Sequence, residues 1–431
     1  MPLPNYFRKF ATMNTIRLSI LFCGTLLLAS CSKIVDDRNE ARTEIVLTKA
    51  QVEYVERGND FGFSMLQKMG CRGNILFSPL SSQIAMGLVL PGAVGNTSKE
   101  IISAIGFGSD DEETIEYISY LTEQLRKSDK KTDFALTNAL VINTSSGHKL
   151  SPSYVNTLSS YLRCMTIESD FAQDKDKTIL SINNWASRNT NGLIPTLIDD
   201  PAQLSSTAIS VLLNALFFKS SWTIPFDVKN TVHEDFYAED KSVSQKPMMR
   251  ITDSFEYYED ENKKALSMSY GNGAFCFTAI LPGENTCLSE LIMGLNEQKF
   301  HSVVNNMKSQ LVSVFIPKFT IEKSIDMVGA YSSVGIEDAF SETDANFEKM
   351  IDGQSKGVYI SNALQKLYFR LDESGAEAAA VTQIVIDEPT SPDPGSDDLP
   401  MVFKANHPFL YIIHERSSGA ILFMGLYAGS D

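Results

Sequence analysis

The sequence contains no CxxC pair, no HExxH motif and no ligand-like spacing of histidine with cysteine. Its six cysteines, Cys23, Cys31, Cys71, Cys164, Cys276 and Cys287, and its five histidines, His148, His233, His301, His407 and His414, are scattered along 431 residues. That pattern argues against a zinc site and offers no histidine base, while it leaves disulfide pairing open. Positive charge is short as well. Against 53 Asp+Glu there are only 37 Lys+Arg, a net charge of −16, so nucleic acid is not an expected partner. No Pro/Gly/Ser-rich linker interrupts the chain before residue 387 and no internal repeat is visible, so one large domain is expected in spite of the length. One catalytic motif does occur, G-x-S-x-G at Gly353–Gly357. A nucleophile elbow needs a strand before the serine and a helix after it. Ser355 instead follows the polar "NFEKMID" and precedes the strand-like "VYIS", so the two glycines read as turn residues. With no triad to be drawn, the chain is not expected to be an enzyme, and no cofactor or metal is implied.

The N-terminus is informative about compartment. Arg8, Lys9 and Arg17 precede an apolar run from Leu18 to Ala29 that ends "LLASC" at Leu27 to Cys31. About a dozen residues are too few for a membrane span, which needs roughly 20, so the run reads as a signal peptide over residues 1–30. Ala29 and Ser30 before a cysteine resemble the bacterial lipobox, in which Cys31 is lipidated after cleavage. Met13 as the start would leave this unchanged. Removal of the segment deletes three basic residues and no acidic one, leaving a still more acidic chain. Residues 31–45 are then a solvated tether and residues 46–431 the folded domain. The expected location is that of an exported bacterial lipoprotein at the outer membrane or cell surface, touching membrane only through its anchor. The alternative is a secreted or periplasmic protein. The "NTS" at Asn96 to Ser98 matches a glycosylation sequon, usually a chance match in a bacterial chain.

Helical periodicity dominates the first half, at Ala50 to Met69, Pro79 to Leu90, Ser98 to Ile105 and Glu112 to Lys127. Strand-like runs follow at "FALTNALVI", "STAISVLLNALFF", "FCFTAILP", "LVSVFIP", "GVYISNAL", "FLYIIHE" and "AILFMGLY". Helices gathered early and strands gathered late indicate an α+β domain. One further run, "GAEAAAVTQIVI" at residues 375–386, has a strand's composition but ends against "DEPTSPDPGSDD". By parity Ala376, Ala378, Ala380, Thr382, Ile384 and Ile386 form one face, all small or apolar, and Glu377, Ala379, Val381, Gln383 and Val385 the other.

A set of ordered segments resembles the serpin family over about residues 51–431. "NILFSPLSSQIAMGLVLPGAVGNTSKEI" from Asn74, "INNWASRNTNGLI" from Ile182, "LLNALFFKSSWTIPFD" from Leu212, "KPMM" from Lys246, "IPKF" from Ile316, "VGIEDAF" from Val334, "DESGAEAAAVT" from Asp372 and "HPFLYIIHERSSGAILFMGLY" from His407 stand in family order. The resemblance implies a single domain of helices packed on three β-sheets, with an exposed, insertable reactive loop at about residues 373–402. It implies inhibition of serine endopeptidases by loop cleavage, acyl-enzyme trapping and insertion of the loop into the large sheet, in a monomer whose partner is the target protease held as a covalent acyl complex. The alternative is a non-inhibitory member that acts as a binding or chaperone protein. The hinge would comprise Glu373, Gly375, Ala376, Glu377, Ala378, Ala379, Ala380, Val381 and Thr382, with Ala376 where the family more often has Thr or Ser. Lys318 would pair with Glu373. Ser78, Ser81 and Asn214 match a polar cluster beneath the sheet, Gln365 replaces its usual histidine, and Trp222 would pack near the same opening.

Family spacing puts the scissile bond about sixteen residues past Glu373, near Pro389. Side-chain chemistry then favours Thr390-Ser391, because cuts after Glu388 or Pro389 place proline where it obstructs most serine proteases. Ile386-Asp387 is the other choice, with a shorter insertable arm. No Lys or Arg lies between Arg370 and Lys404, so elastase-like or subtilisin-like targets are favoured over trypsin-like ones. Pro389, Pro392, Pro394 and Pro400 with the nearby acids rule out regular structure in the distal loop.

Overall fold

With or without a capping side chain, helices form along the apolar periodicity of the sequence. In the computed structural model, which describes residues 42–376 and 399–429 apart from 71, 206, 207, 285 and 354, these are α1 (Lys49–Met69), α2 (Pro79–Val89), α3 (Gly95–Ile105), α4 (Asp111–Ser128), α5 (Pro152–Tyr161), α6 (Lys175–Asn189), α7 (Leu288–Gly294), α8 (Glu297–Asn306) and α9 (Val328–Ser333). Thr48 and Gln51 close a capping box on α1. Ser78 caps α2, with Pro79 in its first turn where no backbone donor is needed. Every residue of α2 is buried, as befits a helix that runs through the core rather than along the surface.

The strands are β1 (Ile75–Phe77), β2 (Asp133–Asn143), β3 (Met165–Ser169), β4 (Ser210–Ser221), β5 (Val232–Tyr237), β6 (Val243–Glu259), β7 (Lys263–Tyr270), β8 (Phe275–Pro282), β9 (Lys308–Pro317), β10 (Phe319–Asp326), β11 (Ile360–Asp372), β12 (Gly375–Ala376), β13 (Met401–Lys404), β14 (Phe409–Glu415) and β15 (Ile421–Tyr427). Their hydrogen bonds make two networks. One has nine strands in the order β1-β15-β14-β8-β7-β6-β9-β13, with β5 paired to β6. The other has six, β10-β11-β12-β4-β2-β3. The third sheet implied by the family resemblance is continuous with the nine-stranded network. The 17-residue β6 pairs with β5 at one end and β7 at the other, and with β9 between.

Alternation along the six-stranded sheet separates two cores. Leu140, Ile142, Leu212 and Leu216 point into the main core over α2. Ala139, Val141, Val211, Leu213 and Ala215 point outward, where Ile182, Trp185 and Ala186 of α6 cover them in a smaller cluster of their own. The described cysteines Cys164, Cys276 and Cys287 are free thiols. No helix among the described residues is long and apolar enough to cross a membrane.

Candidate functional site

After β11 the chain reverses and re-enters its own sheet. The Asp372 carboxylate accepts from the Ser374 backbone N–H at 2.9 Å, the Ser374 hydroxyl at 2.7 Å and the Gly375 N–H at 3.3 Å, which fixes a tight turn. Arg370 holds its other oxygen at 3.0 Å. Gly375 then enters between two strands with φ of 144°; a Cβ there would lie 2.1 Å from the Ser220 carbonyl oxygen and 2.7 Å from Ser221 Cα, so only glycine fits. Ala376 follows, fully buried, opposite Leu371 on one side and Ser220 on the other. Lower down, β11 and β4 bond directly to each other in parallel register, from Ile360 with Ser210 to Leu367 with Leu216. The two residues of β12 are therefore a wedge in the mouth of a sheet that is closed beneath.

The root of this wedge is anchored on both sides. Glu373 is buried, with Lys318 Nζ at 2.9 Å from one oxygen and the Thr231 hydroxyl donating to the other at 2.8 Å. Burial pushes its carboxyl up, but the bonds from Lys318, its own backbone and Thr231 outweigh this and hold it below the ordinary carboxylate range. Trp222 donates from Nε1 to the Asp372 carbonyl at 2.9 Å, and its ring stacks on Tyr270 with centroids 4.3 Å apart. The Tyr270 hydroxyl, buried beneath the mouth, has no hydrogen-bond partner among the described residues.

Midway down the closed part, Asn138, Asn214 and Gln365 lie side by side on three neighbouring strands. Asn214 Nδ2 donates to Asn138 Oδ1 at 2.7 Å, and its Oδ1 accepts from the Ser81 hydroxyl. Gln365 Nε2 donates to Ser82 Oγ at 3.1 Å and to Asn214 Oδ1 at 3.4 Å, while its Oε1 accepts from the Ser78 N–H at 3.2 Å. Ser78 Oγ donates to the Leu422 carbonyl at 2.5 Å. These groups are all buried and all bonded, and among the described residues the hydrogen bond that links the side chains of β4 and β11 at this level is the long Gln365–Asn214 contact.

Residues 56–428 match the family Serpin, described as serine protease inhibitor. The chain belongs to the serpin family. It is 30% identical to Iripin-8 of Ixodes ricinus over 375 residues, 86% of this chain and 92% of that protein. The solved native state of Tengpin, a thermophilic serpin, has a TM-score of 0.79 at 26% identity, covering 91% of this chain and 98% of that one. Thyroxine-binding globulin in complex with thyroxine has a TM-score of 0.76, also at 26% identity, over 87% of this chain and 98% of that chain.

In this serpin the expected residues fall at two levels of one sheet. Glu373, Gly375, Ala376, Lys318 and Trp222 meet at the mouth, and Ser78, Ser81, Asn214 and Gln365 meet below it. Hinge residues Glu377, Ala378, Ala379, Ala380, Val381 and Thr382 lie outside the described residues, as do the scissile-bond candidates Ile386, Asp387, Glu388, Pro389, Thr390 and Ser391 and the lipidation candidate Cys31. Sequence reasoning missed Asp372, Ser374, Thr231 and Tyr270 at the mouth and Ser82 and Asn138 in the cluster. Asn138 had a usable signal, an amide inside the apolar run "ALTNALVI". Ser355 is not a nucleophile elbow: Gly353 and Gly357 adopt φ of 98° and 79° in turns, and β11 rather than a helix follows.

Proposed function

We propose that this serpin inhibits serine endopeptidases as a suicide substrate, and that its loop completes the strand β12 has begun. The observation that carries this reading is the register of the wedge. Ala376 opposes Ser220 and Leu371, so each later residue of an inserted strand has defined partners. Ala378 would oppose Phe218 and Phe369, and Ala380 would oppose Leu216 and Leu367. Those large side chains all face the main core, so a small inserted side chain would add the least volume beside them. Thr382 would arrive opposite both Asn214 and Gln365, where its hydroxyl can donate to one and accept from the other in place of their 3.4 Å contact. Glu377, on the outer face, would come between Lys219 and Arg370. The sequence supplies alanine where the site is crowded, a hydroxyl where it is polar and a carboxylate where it is cationic. Loop insertion in serpins is strand addition of this kind.

In the proposed reaction the protease serine attacks the Thr390 carbonyl, the Thr390–Ser391 bond breaks, and the Ser391 amine leaves with a proton. The acyl ester then travels with the loop, as sixteen residues from Gly375 to Thr390 at roughly 3.3 Å each reach on the order of 50 Å. Elastase-like or subtilisin-like enzymes are the proposed targets. A purely ligand-binding role, the property named for thyroxine-binding globulin, is the weaker reading, since the small-residue face would then have no use. Incubation with elastase-like and trypsin-like proteases tests the proposal. A denaturant-resistant complex with the former, releasing a fragment that starts at Ser391, supports it; simple turnover of the loop without a complex refutes it. We also propose that Cys31 carries a lipid that tethers the exported protein to the outer membrane or cell surface. Cys31→Ala should then leave the membrane fraction, and unchanged partitioning would refute the anchor.

A further inference from the structure

The segment ahead of α1 docks onto the fold beside the mouth of the sheet. Ile45 is buried in the main core and its N–H donates to Ser417 Oγ at 2.8 Å, while the Tyr120 hydroxyl donates to the Val46 carbonyl at 2.6 Å. Just before them, the Thr43 N–H donates at 3.4 Å to the Ser128 carbonyl at the end of α4. The same carbonyl accepts from Asn272 Nδ2 at 3.0 Å. Asn272 lies in the turn between β7 and β8, where the Gly271 N–H donates to the Ser221 carbonyl at 2.8 Å, and Ser221 is the partner of Gly375 in the wedge. Four contacts therefore lead from Thr43 to Gly375, on the order of 20 Å at about 5 Å each. The other end of the sheet is much further off. From Ser221 back to Ser210, which pairs with Ile360, β4 runs twelve residues, about 40 Å at roughly 3.3 Å per residue.

We propose that the anchored protein keeps its mouth at the membrane, captures proteases within reach of that surface, and carries them outward as it traps them. The inference rests on the lipid on Cys31 and the loop insertion proposed above. Cys31 and Thr43 are twelve residues apart, a stretch of at most about 40 Å fully extended. The mouth is thus held within about 60 Å of the lipid surface, whereas the far end of β4 can stand about 40 Å further out. The loop is rooted at the mouth through Glu373 and β12, so the protease is met at the tethered end. An acyl-linked protease that follows the inserting strand toward Ser210 then moves away from the tether along the whole length of β4.

The test holds the mature chain from Ser32 on nickel-chelating vesicles through a hexahistidine tag at its N-terminus, so that the outcome does not depend on natural lipidation. An elastase-like protease carries a donor dye and the lipid headgroups an acceptor. The same protease with its nucleophilic serine changed to alanine gives the encounter complex, and the active protease gives the trapped one, whose covalent bond is verified separately on denaturing gels. Energy transfer should be high in the encounter complex and fall at least about twofold on trapping. A Gly/Ser spacer of about 60 residues behind the tag, with a root-mean-square reach of roughly 40 Å, should erase most of that difference. A covalent complex with transfer equal to or above that of the encounter complex would overturn this inference alone, as would a fall that the spacer leaves unchanged. Absence of a covalent complex would overturn the insertion reading and this inference with it, and the partitioning of Cys31→Ala tests the anchor separately.

Discussion

Ala376→Arg puts the proposed insertion step under the most direct strain. Ala376 is fully buried between Ser220 and Leu371, on the face that meets the main core. An arginine there must either be desolvated or keep the strand out. Burying an unpaired cation costs several kcal/mol even after relaxation. With about 3 kcal/mol of that expressed in the insertion barrier, insertion slows roughly 150-fold at 1.36 kcal/mol per decade. A loop that normally inserts about tenfold faster than its acyl bond is hydrolysed would then insert about fifteenfold slower, turning an inhibitor into a substrate. The assay is the stoichiometry of inhibition, read with denaturing gels of protease mixed with inhibitor. Glu377→Arg provides the control. Its side chain would lie on the outer face between Lys219 and Arg370, both partly exposed, where like charge costs at most about 1 kcal/mol, or about fivefold. Equal trapping by Ala376→Arg and the parent would refute the buried-face argument, and equal damage from the two variants would refute the register.

Gly375→Ala forces a Cβ into the Ser220 carbonyl at a φ that L residues avoid; it should expel β12 and lower stability by about 1–3 kcal/mol in denaturant unfolding. Gln365→His should add a pH dependence: a buried neutral imidazole has a depressed folded pKa, so stability falls as pH drops through about 6.5, while the parent shows no such step from this cluster in Tm against pH. Glu297, raised to about 7 by burial and then by Glu56 and Asp60, acts in the opposite sense. Its raised folded pKa means that stability present below the ordinary 4.5 is lost as pH rises to about 7, and Glu297→Gln should flatten that window in the same measurement.

How far the sequence could be read depended on where each element finds its partners. The ends of α1, α2 and α4 lie within a residue or two of their expected places because Thr48, Ser78 and Asp110 cap them locally. Strands β8 and β14 were legible as unbroken apolar runs buried on both faces. By contrast β6 and β10 were not, since "VSQKPMMRITDSFEYYE" and "FTIEKSID" mix charge with apolar residues and one face of each is partly exposed. The strand expected at "GVYISNAL" begins only at Ile360 and continues to Asp372 through Gln365 and Lys366, two polar residues whose burial depends on neighbours distant in sequence. The polar cluster was legible only through family order. Nothing local to Ser82 announces that Gln365, brought alongside by sheet pairing, will bond it.

The division of the interior into two cores has a kinetic consequence. Any strand that enters between β11 and β4 must slide under α6, whose contacts with the sheet run through the smaller cluster around Ile182, Trp185 and Leu213. That cluster is separate from the main core, so undocking of α6 would leave the contacts of the main core in place. A protein built this way can be globally stable and yet gated by one weakly held piece. On the proposed insertion mechanism, the speed of that event would depend on the opening free energy of α6, which backbone amide hydrogen exchange would report directly, rather than on the stability of the whole.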